Sequence, residues 1–184
     1  MSGMASGARP AAHRRTLRDM TDVTTTTLPT VGQPAPDFTL PDDTGALRTL
    51  SAERGHWLVL YFYPKDDTPG CTTESCQFRD AHELYQQSGA EIWGVSVLGS
   101  GSKAAFKAKF GLPFTLIADE HHVVAERYGV WVDKVNYGRT FKGIQRATFL
   151  IDPTGTIAKV WPKVKADGHA AEVLEAIGEL SSVA

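Results

Sequence analysis

The chain has 184 residues, of which 42% are hydrophobic and 22% are charged, as in an ordinary globular domain. Its formal net charge of −2 excludes the basic surface that binds nucleic acid, and no apolar run approaches the roughly 20 residues of a membrane span. Two cysteines are too few for a disulfide-rich secreted scaffold.

Residues 1–30 are predicted to be a disordered tail, or the product of a start assigned too early, with Met20 as the initiator. They are rich in Ala, Gly, Ser and Thr and lack a periodic apolar pattern. Four arginines precede the first acidic residue, Asp19, as in an organelle transit peptide. We expect a cytoplasmic location, because the apolar segment of a secretory signal is lacking. Organelle targeting by residues 1–30 is the alternative. Residues 31–184 are predicted to form one domain.

After residue 31 the pattern predicts strands that alternate with helices, followed by a hairpin and a closing helix. The predicted strands are residues 57–63, 91–97, 115–118, 147–151 and 156–161, and the predicted helices are 71–87, 102–110, 121–128 and 170–180. Before them, a turn at residues 42–45 joins two short strands into an N-terminal hairpin. This order predicts an α/β fold with a mixed central sheet flanked by helices.

The link between the buried strand at 57–63 and the helix at 71–87 carries the main chemical feature of the chain. Two prolines and a glycine punctuate it, and it leads to Cys71 in the first turn of the helix. The unpaired N–H groups and the dipole at a helix N-terminus favour negative charge. A cysteine there presents more of its reactive thiolate at neutral pH, so Cys71 is predicted to be a nucleophile.

Pro64, Thr68 and Cys71, spaced as Pro-x-x-x-Thr-x-x-Cys, resemble the active-site motif of the peroxiredoxins, a family of thiol peroxidases. Cys76, five residues further on, resembles the second cysteine of the bacterioferritin-comigratory, or PrxQ-type, subfamily. The resemblance extends from about Val31 to the C-terminus, and the motif is specific because its residues hold fixed offsets behind a strand. It implies a thioredoxin-like fold with an added N-terminal β-hairpin.

The resemblance also implies a reaction. The thiolate of Cys71, the peroxidatic residue, attacks hydrogen peroxide or an organic hydroperoxide and becomes a sulfenic acid. Cys76, the resolving residue, then forms an intramolecular disulfide, which thioredoxin or a similar dithiol protein reduces. No bound cofactor is implied, and the subfamily implies a monomer. The alternative for Cys76 is a buried structural thiol, in which case an external thiol resolves Cys71.

Cys71 and Cys76 fall in the same predicted helix, which sets a geometric condition on the disulfide. In an ideal helix, residues five apart lie ~8–9 Å from each other between Cα atoms. A disulfide needs a Cα–Cα distance of roughly 4.4–6.8 Å. The helix is therefore expected to unwind locally when the disulfide forms.

Three side chains of this segment are predicted to assist Cys71. Thr68 could donate a hydroxyl hydrogen bond to the thiolate and the peroxide, and Pro64 would shape the loop and limit access of water. The alternative for both is ordinary turn chemistry before a helix. Glu74, one turn after Cys71, suits a helix N-terminus and could also orient an arginine.

A cation is expected beside the thiolate, and the resemblance indicates Arg146, which stands just before the predicted strand at 147–151. A guanidinium is always charged and offers several directed donors to sulfur and to peroxide oxygens. Arg79 and Arg139 are the alternative candidates, and without the resemblance Arg146 is a surface residue at the end of a strand. The loop around Trp131 could line the peroxide entrance.

Two other functions would use similar residues. A thioredoxin-like disulfide reductase normally has Cys-x-x-Cys, whereas four residues separate Cys71 and Cys76. A copper-delivery protein on a related fold would use both cysteines and a histidine, but would leave Pro64 and Thr68 without a purpose. Several histidines lack close ligand spacing with the cysteines and are expected to be exposed, so no metal site is predicted. They are His56, His82, His121, His122 and His169.

Overall fold

The computed structural model of the protein describes residues 27–182, so the predicted tail at residues 1–30 lies almost wholly outside the described part. The strands, in chain order, are β1 (Thr39–Pro41), β2 (Leu47–Thr49), β3 (Trp57–Phe62), β4 (Ala90–Ser96), β5 (Thr115–Ala118), β6 (Trp131–Asn136), β7 (Arg139–Ile144), β8 (Ala147–Ile151) and β9 (Ile157–Trp161). The helices are α1 (Pro69–Asp80), α2 (His82–Gln87), α3 (Ser100–Phe110), α4 (Val123–Arg127) and α5 (His169–Ser181). Within the described part, no helix has the length and apolar character that crossing a membrane requires.

The central sheet is mixed, and β3 lies in its middle. The strand order is β5-β4-β3-β8-β9, with β3 parallel to β4 and antiparallel to β8. β4 is parallel to β5, and β8 is antiparallel to β9. Ahead of the sheet, β1 pairs with β2 in the predicted N-terminal hairpin. The predicted α/β fold with a mixed central sheet is confirmed.

Side chains of β3 and of the residue after it alternate between the two faces of the sheet, and both faces are covered. On one face, Val59, Tyr61 and Tyr63 join an apolar cluster with buried side chains of α1, α2, α3 and α5. On the other face, the intervening residues of β3 join a second cluster that includes α4 and the segment before β3. Cys71 belongs to the first cluster and is 1% exposed, so its thiol is buried in the core.

The single helix predicted at 71–87 is wrong, because the structure has two helices there, α1 and α2. Ala81 separates them with φ −92° and ψ 1°, although its N–H still bonds to the Gln77 carbonyl at 3.1 Å. Alanine is the strongest helix former, so no residue type in the sequence marks the break. Phe78 and Tyr85, on either side of the break, are both fully buried in the first apolar cluster.

The loop predicted around Trp131 is instead a β-hairpin made of β6 and β7, paired along their full length. Tyr137 and Gly138 connect the strands with φ values of 49° and 75°. Positive φ at both central residues is the conformation of a type I′ turn, which usually has Asn or Asp at the first position. Tyrosine at that position explains why the sequence did not reveal the turn.

Gly94 is expected to be essential for packing of the central sheet. A β-carbon at Gly94 would lie 2.6 Å from Tyr61 Oη and 2.9 Å from Leu116 Cδ2, both on neighbouring strands. Because these side chains are fully buried, Gly94→Ala should lower the free energy of unfolding by about 1–3 kcal/mol, as other overpacked cores do. Urea unfolding followed by circular dichroism measures the change.

Gly101→Ala is the matched control, because a β-carbon at Gly101 in α3 would meet nothing within 4 Å. It should leave the free energy of unfolding unchanged or raise it by up to about 1 kcal/mol. Equal free energies of unfolding for the two variants would contradict the packing argument.

Candidate active site

The β3–α1 loop, residues 63–68, connects the central strand to the helix that carries Cys71. α1 begins at Pro69, whose fixed φ and missing N–H suit the first position of a helix. Cys71 is therefore the third helical residue, within the first turn as predicted, where N–H groups have no partner inside the helix. Cys71 is buried, Cys76 is half-buried, and both are free thiols. Both lie in the continuous helix α1, so the condition on disulfide formation applies.

Arg146 places a guanidinium beside the thiol. It immediately precedes β8, and the antiparallel pairing of β8 with β3 brings it level with the β3–α1 loop. Arg146 Nη2 donates to Cys71 Sγ at 3.3 Å, and Nη1 forms an ion pair with Glu74 Oε2. Gly70 permits this close approach, because a β-carbon there would lie 3.2 Å from Nη2. The structure thus brings together a thiol, a guanidinium and a carboxylate at the start of α1.

Glu74 is a fully buried carboxylate that contacts an arginine, which corresponds to the second of the two roles considered for it. Since α1 starts at Pro69, Glu74 lies in the second turn, and its partner is Arg146 rather than the helix N-terminus. Burial raises the pKa of Glu74 to about 7, while the positive charge of Arg146 acts against that rise. No residue in the described part of the chain bonds to its second oxygen, Oε1. Burial acts to lower the pKa of Arg146, but Glu74 and the Cys71 sulfur outweigh it, so this pKa is raised.

Thr68 is oriented differently from the expectation. Its hydroxyl donates to the Lys65 carbonyl oxygen at 2.9 Å, so its proton is not available to Cys71 in this conformation. The hydroxyl oxygen keeps its acceptor lone pairs. Pro64, half-buried, follows Tyr63 at the point where the chain leaves β3. Both residues belong to the same short loop as predicted, and that loop ends directly before α1.

Two charged residues near this loop were missed in the sequence. Asp66, inside the Pro64–Thr68 segment, and Lys103, on α3, form an ion pair at 3.0 Å with side chains that are 3% and 0% exposed. In the sequence, little distinguishes Lys103 from Lys107 and Lys109, the other lysines of its helix. Its spacing of three residues from the buried Phe106 was the one sequence feature that placed it on the inner face.

Lys134, on β6, adds a further cation near the site. Its side chain lies over Gly143 of the paired strand, where a β-carbon would be 3.4 Å from Lys134 Cδ. Burial lowers the pKa of Lys134, and the charge of Arg146 lowers it further, while the Cys71 sulfur opposes both. The β6–β7 hairpin therefore contributes positive charge to the same site, which its prediction as a loop around Trp131 did not anticipate.

The alternative arginines lie elsewhere. Arg79 pairs with Asp80 and donates to the Phe110 carbonyl, and Arg139 is an exposed residue of β7. The expectation of an exposed His169 is wrong: it is 2% exposed, and its Nε2 lies 2.8 Å from Thr148 Oγ1. Across residues 27–182, no three His, Cys, Asp or Glu side chains form a group that could hold a metal ion.

Comparison with known proteins gives consistent matches over most of the chain. A model of the AhpC/TSA family matches residues 31–160. Peroxiredoxin Bcp of Bacillus subtilis (strain 168) is 48% identical over 151 residues, which cover 82% of this chain and 96% of that protein. The solved structure of the Xanthomonas campestris bacterioferritin comigratory protein, described for its alkyl peroxide reduction activity, matches with 39% identity and a TM-score of 0.77. The match covers 83% of this chain and 99% of the Xanthomonas campestris chain. A PrxQ mutant from Xylella fastidiosa matches with 36% identity and a TM-score of 0.79, over 83% and 97% of the two chains.

The raised pKa of Glu74 predicts how stability depends on pH. Between its ordinary pKa of 4.5 and its folded value of about 7, the folded protein binds this proton and the unfolded chain releases it. The free energy of unfolding should therefore fall as pH rises through this window. Glu74→Gln removes this contribution. Across the window, the free energy of unfolding of the variant should therefore fall by less than that of the wild type, the difference being on the order of 3 kcal/mol.

Urea unfolding of the reduced protein at several pH values measures the slope. Glu83→Gln, an exposed residue of α2, is the control and should keep the wild-type slope. A Glu74→Gln variant with the wild-type slope would show that Glu74 does not titrate in this range.

Proposed function

Since the chain belongs to the AhpC/TSA family of peroxiredoxins, we propose that it reduces hydroperoxides through Cys71. Family membership makes the protein a thiol-dependent peroxidase with a thioredoxin-like fold. The observation that carries the assignment to Cys71 is the 3.3 Å contact between its sulfur and Arg146 Nη2, in the first turn of α1. Hydrogen peroxide and organic hydroperoxides are the proposed substrates.

In the first step, the Cys71 thiolate attacks the terminal oxygen of the hydroperoxide and the O–O bond breaks. The sulfur becomes a sulfenic acid, and the departing hydroxide or alkoxide takes a proton to leave as water or alcohol. Negative charge moves from the sulfur to the departing oxygen during this step. Arg146 can stabilise that charge at both positions, because its donors are fixed by the ion pair with Glu74 before substrate arrives.

Thr68 and Pro64 are proposed to shape the place where the peroxide binds. Because the Thr68 hydroxyl donates to the Lys65 carbonyl, its oxygen can accept a hydrogen bond from the O–H of a hydroperoxide. This contact would hold the O–O bond in line with the Cys71 sulfur, which is the orientation that displacement requires. Because Pro64 has no backbone N–H, it offers no hydrogen-bond donor to a water molecule that enters the loop.

Cys76 is proposed to resolve the sulfenic acid. Its thiol attacks the Cys71 sulfur, a disulfide forms, and the sulfenic oxygen leaves as water. α1 must lose its helical form around both cysteines, because ~8–9 Å separate Cα atoms five residues apart in a helix. The contacts of Gln77, whose side chain bonds to Asp167 at 2.7 Å and to the Gly168 N–H at 2.9 Å, would be lost at the same time.

A dithiol protein of the thioredoxin type is the proposed reductant. Thiol–disulfide exchange requires access to one sulfur, and unwinding of α1 would provide it. We propose that the protein acts as a monomer in the cytoplasm, without a bound cofactor, nucleic acid or membrane. Two free thiols on one helix are compatible with a reducing compartment.

The roles of the two cysteines are tested by peroxide consumption with thioredoxin, thioredoxin reductase and NADPH. Cys71→Ser should lose turnover entirely, because a hydroxyl in its place is not ionised at neutral pH. Cys76→Ser should lose turnover with thioredoxin but recover it with a small thiol, because an external thiol can then resolve the sulfenic acid.

Reaction of each variant with hydrogen peroxide, followed by mass spectrometry, controls for the site of oxidation. Peroxide turnover that survives in Cys71→Ser would overturn the proposed function. Full thioredoxin-dependent turnover in Cys76→Ser would overturn the resolving role alone.

Unwinding of α1 on oxidation is tested by amide hydrogen exchange. After one equivalent of peroxide, amides of residues 72–77 should exchange about tenfold faster or more, because their helical hydrogen bonds open. In Cys76→Ser the same treatment gives no intramolecular disulfide, so protection should remain. Unchanged exchange in the oxidised wild type would contradict the unwinding step.

A further inference from the structure

Asp66 is a buried carboxylate in the middle of the β3–α1 loop, between Pro64 and Thr68. Lys103 Nζ lies 3.0 Å from both of its oxygens, and the lysine side chain is completely buried. Neither residue contacts Cys71 through a hydrogen bond, so the peroxide chemistry proposed for Cys71 does not use them directly. Their burial therefore needs another explanation.

The carboxylate of Asp66 is bonded from several sides. Tyr63 Oη and Ser102 Oγ each lie 2.6 Å from one of its oxygens, and Ser96 Oγ lies 3.3 Å from Oδ1. Lys103 Nζ also bonds to Ser96 Oγ. Tyr63 is the first residue of the loop, whereas Ser96 ends β4 and Ser102 and Lys103 lie in the first turn of α3, so Asp66 joins the loop to two elements of the core.

A buried ion pair is by itself weak evidence of a stabilising role. Burial lowers the pKa of Lys103, while the charge of Asp66 and its hydrogen bond oppose the change. Removing two charges from water costs much of what their attraction returns, and well-packed apolar residues often give equal or greater stability. A fully bonded pair at this place therefore points to control of geometry.

The loop also contains backbone strain next to Asp66. Asp67 has a φ of 56°, a conformation that residues other than glycine rarely adopt and that costs of order 1 kcal/mol or more. Such a conformation persists only when surrounding contacts hold it. Among residues 27–182, the side chain of Asp67 has only an exposed ion pair with Lys109, at 2.6 Å, so we assign most of the restraint to the buried bonds of Asp66.

We propose that Asp66 and Lys103 are positioning residues for peroxide reduction, because their buried ion pair fixes the β3–α1 loop and with it the Thr68 hydroxyl, which bonds to the Lys65 carbonyl of the same loop. The proposal rests on the proposed function of Cys71. Loss of either charge releases the loop, so the Thr68 oxygen no longer holds a peroxide in line with the sulfur. The thiol itself, held by α1 and Arg146, keeps its surroundings.

The test compares two reactions of Cys71 in the reduced full-length protein. Oxidation by hydrogen peroxide in a single turnover requires the loop, whereas alkylation by iodoacetamide depends only on the thiolate and its exposure. Asp66→Asn and Lys103→Met should each slow peroxide oxidation about 10- to 100-fold, from the loss of alignment. Alkylation should stay within about threefold of the wild-type rate. The Asp66→Asn/Lys103→Met double variant should be about as slow as either single variant, because both act through one pair.

Lys107→Met is the matched control. Lys107 is one turn further along α3 and pairs with Asp43 at 3.0 Å, away from the loop, so its loss should leave both rates of Cys71 unchanged. Urea unfolding of every variant identifies any that does not fold. Asp66→Asn keeps the shape and the acceptor oxygen of Asp66, so it decides the test if Lys103→Met is unfolded.

Three outcomes would overturn the inference. A folded Asp66→Asn variant with peroxide oxidation within about twofold of wild type would show that the pair has no positioning role. Equal loss of oxidation and alkylation would show that the pair acts on the thiolate through charge. Wild-type protein in which peroxide does not oxidise Cys71, while iodoacetamide still alkylates it, would overturn the proposed function together with this inference.

Discussion

The antiparallel pairing of β8 with β3 is the constraint on which the site depends. β3 carries the chain to the loop before Cys71, and β8 starts one residue after Arg146, so their register sets the guanidinium beside the sulfur at 3.3 Å. The two residues are 75 positions apart in the chain. Sheet hydrogen bonds, which the fold needs in any case, therefore fix a contact that flexible side chains alone would hold poorly.

Arg146 serves two acidic groups, and helix α1 carries both. Glu74 and Cys71 lie three residues apart, so they face the guanidinium from the same side of the helix. The buried carboxylate fixes the orientation of the guanidinium but also competes with the sulfur for its positive charge. A Glu74 pKa of about 7 makes this competition weakest in mildly acidic solution, where the carboxylate is neutral.

Local patterns predicted much of this molecule, and long-range contacts supplied the rest. The buried strand, a helix that follows it and the offsets to Cys71 come from neighbouring residues, and the structure has them, although α1 begins at Pro69 rather than at Cys71. The break at Ala81 was missed because alanine favours a helix. The ion pair of Asp66 with Lys103, 37 residues away, was missed because a lysine on a helix is usually exposed. The buried His169 was missed because helix histidines are more often exposed and its partner, Thr148, is 21 residues distant in sequence.

The separate anchoring of the β3–α1 loop bears on how the helix returns after each catalytic cycle. Thr68 lies outside α1, yet its carbonyl accepts the first helical hydrogen bond, from the Thr72 N–H at 2.8 Å. Starting a helix is the costly part of forming one, while adding residues to an existing turn is favourable. With Thr68 held by the anchored loop and Pro69 fixed in φ, the unwound segment of the proposed cycle would regrow from a prepared end. The fold would thereby contain its own template for resetting the reduced enzyme.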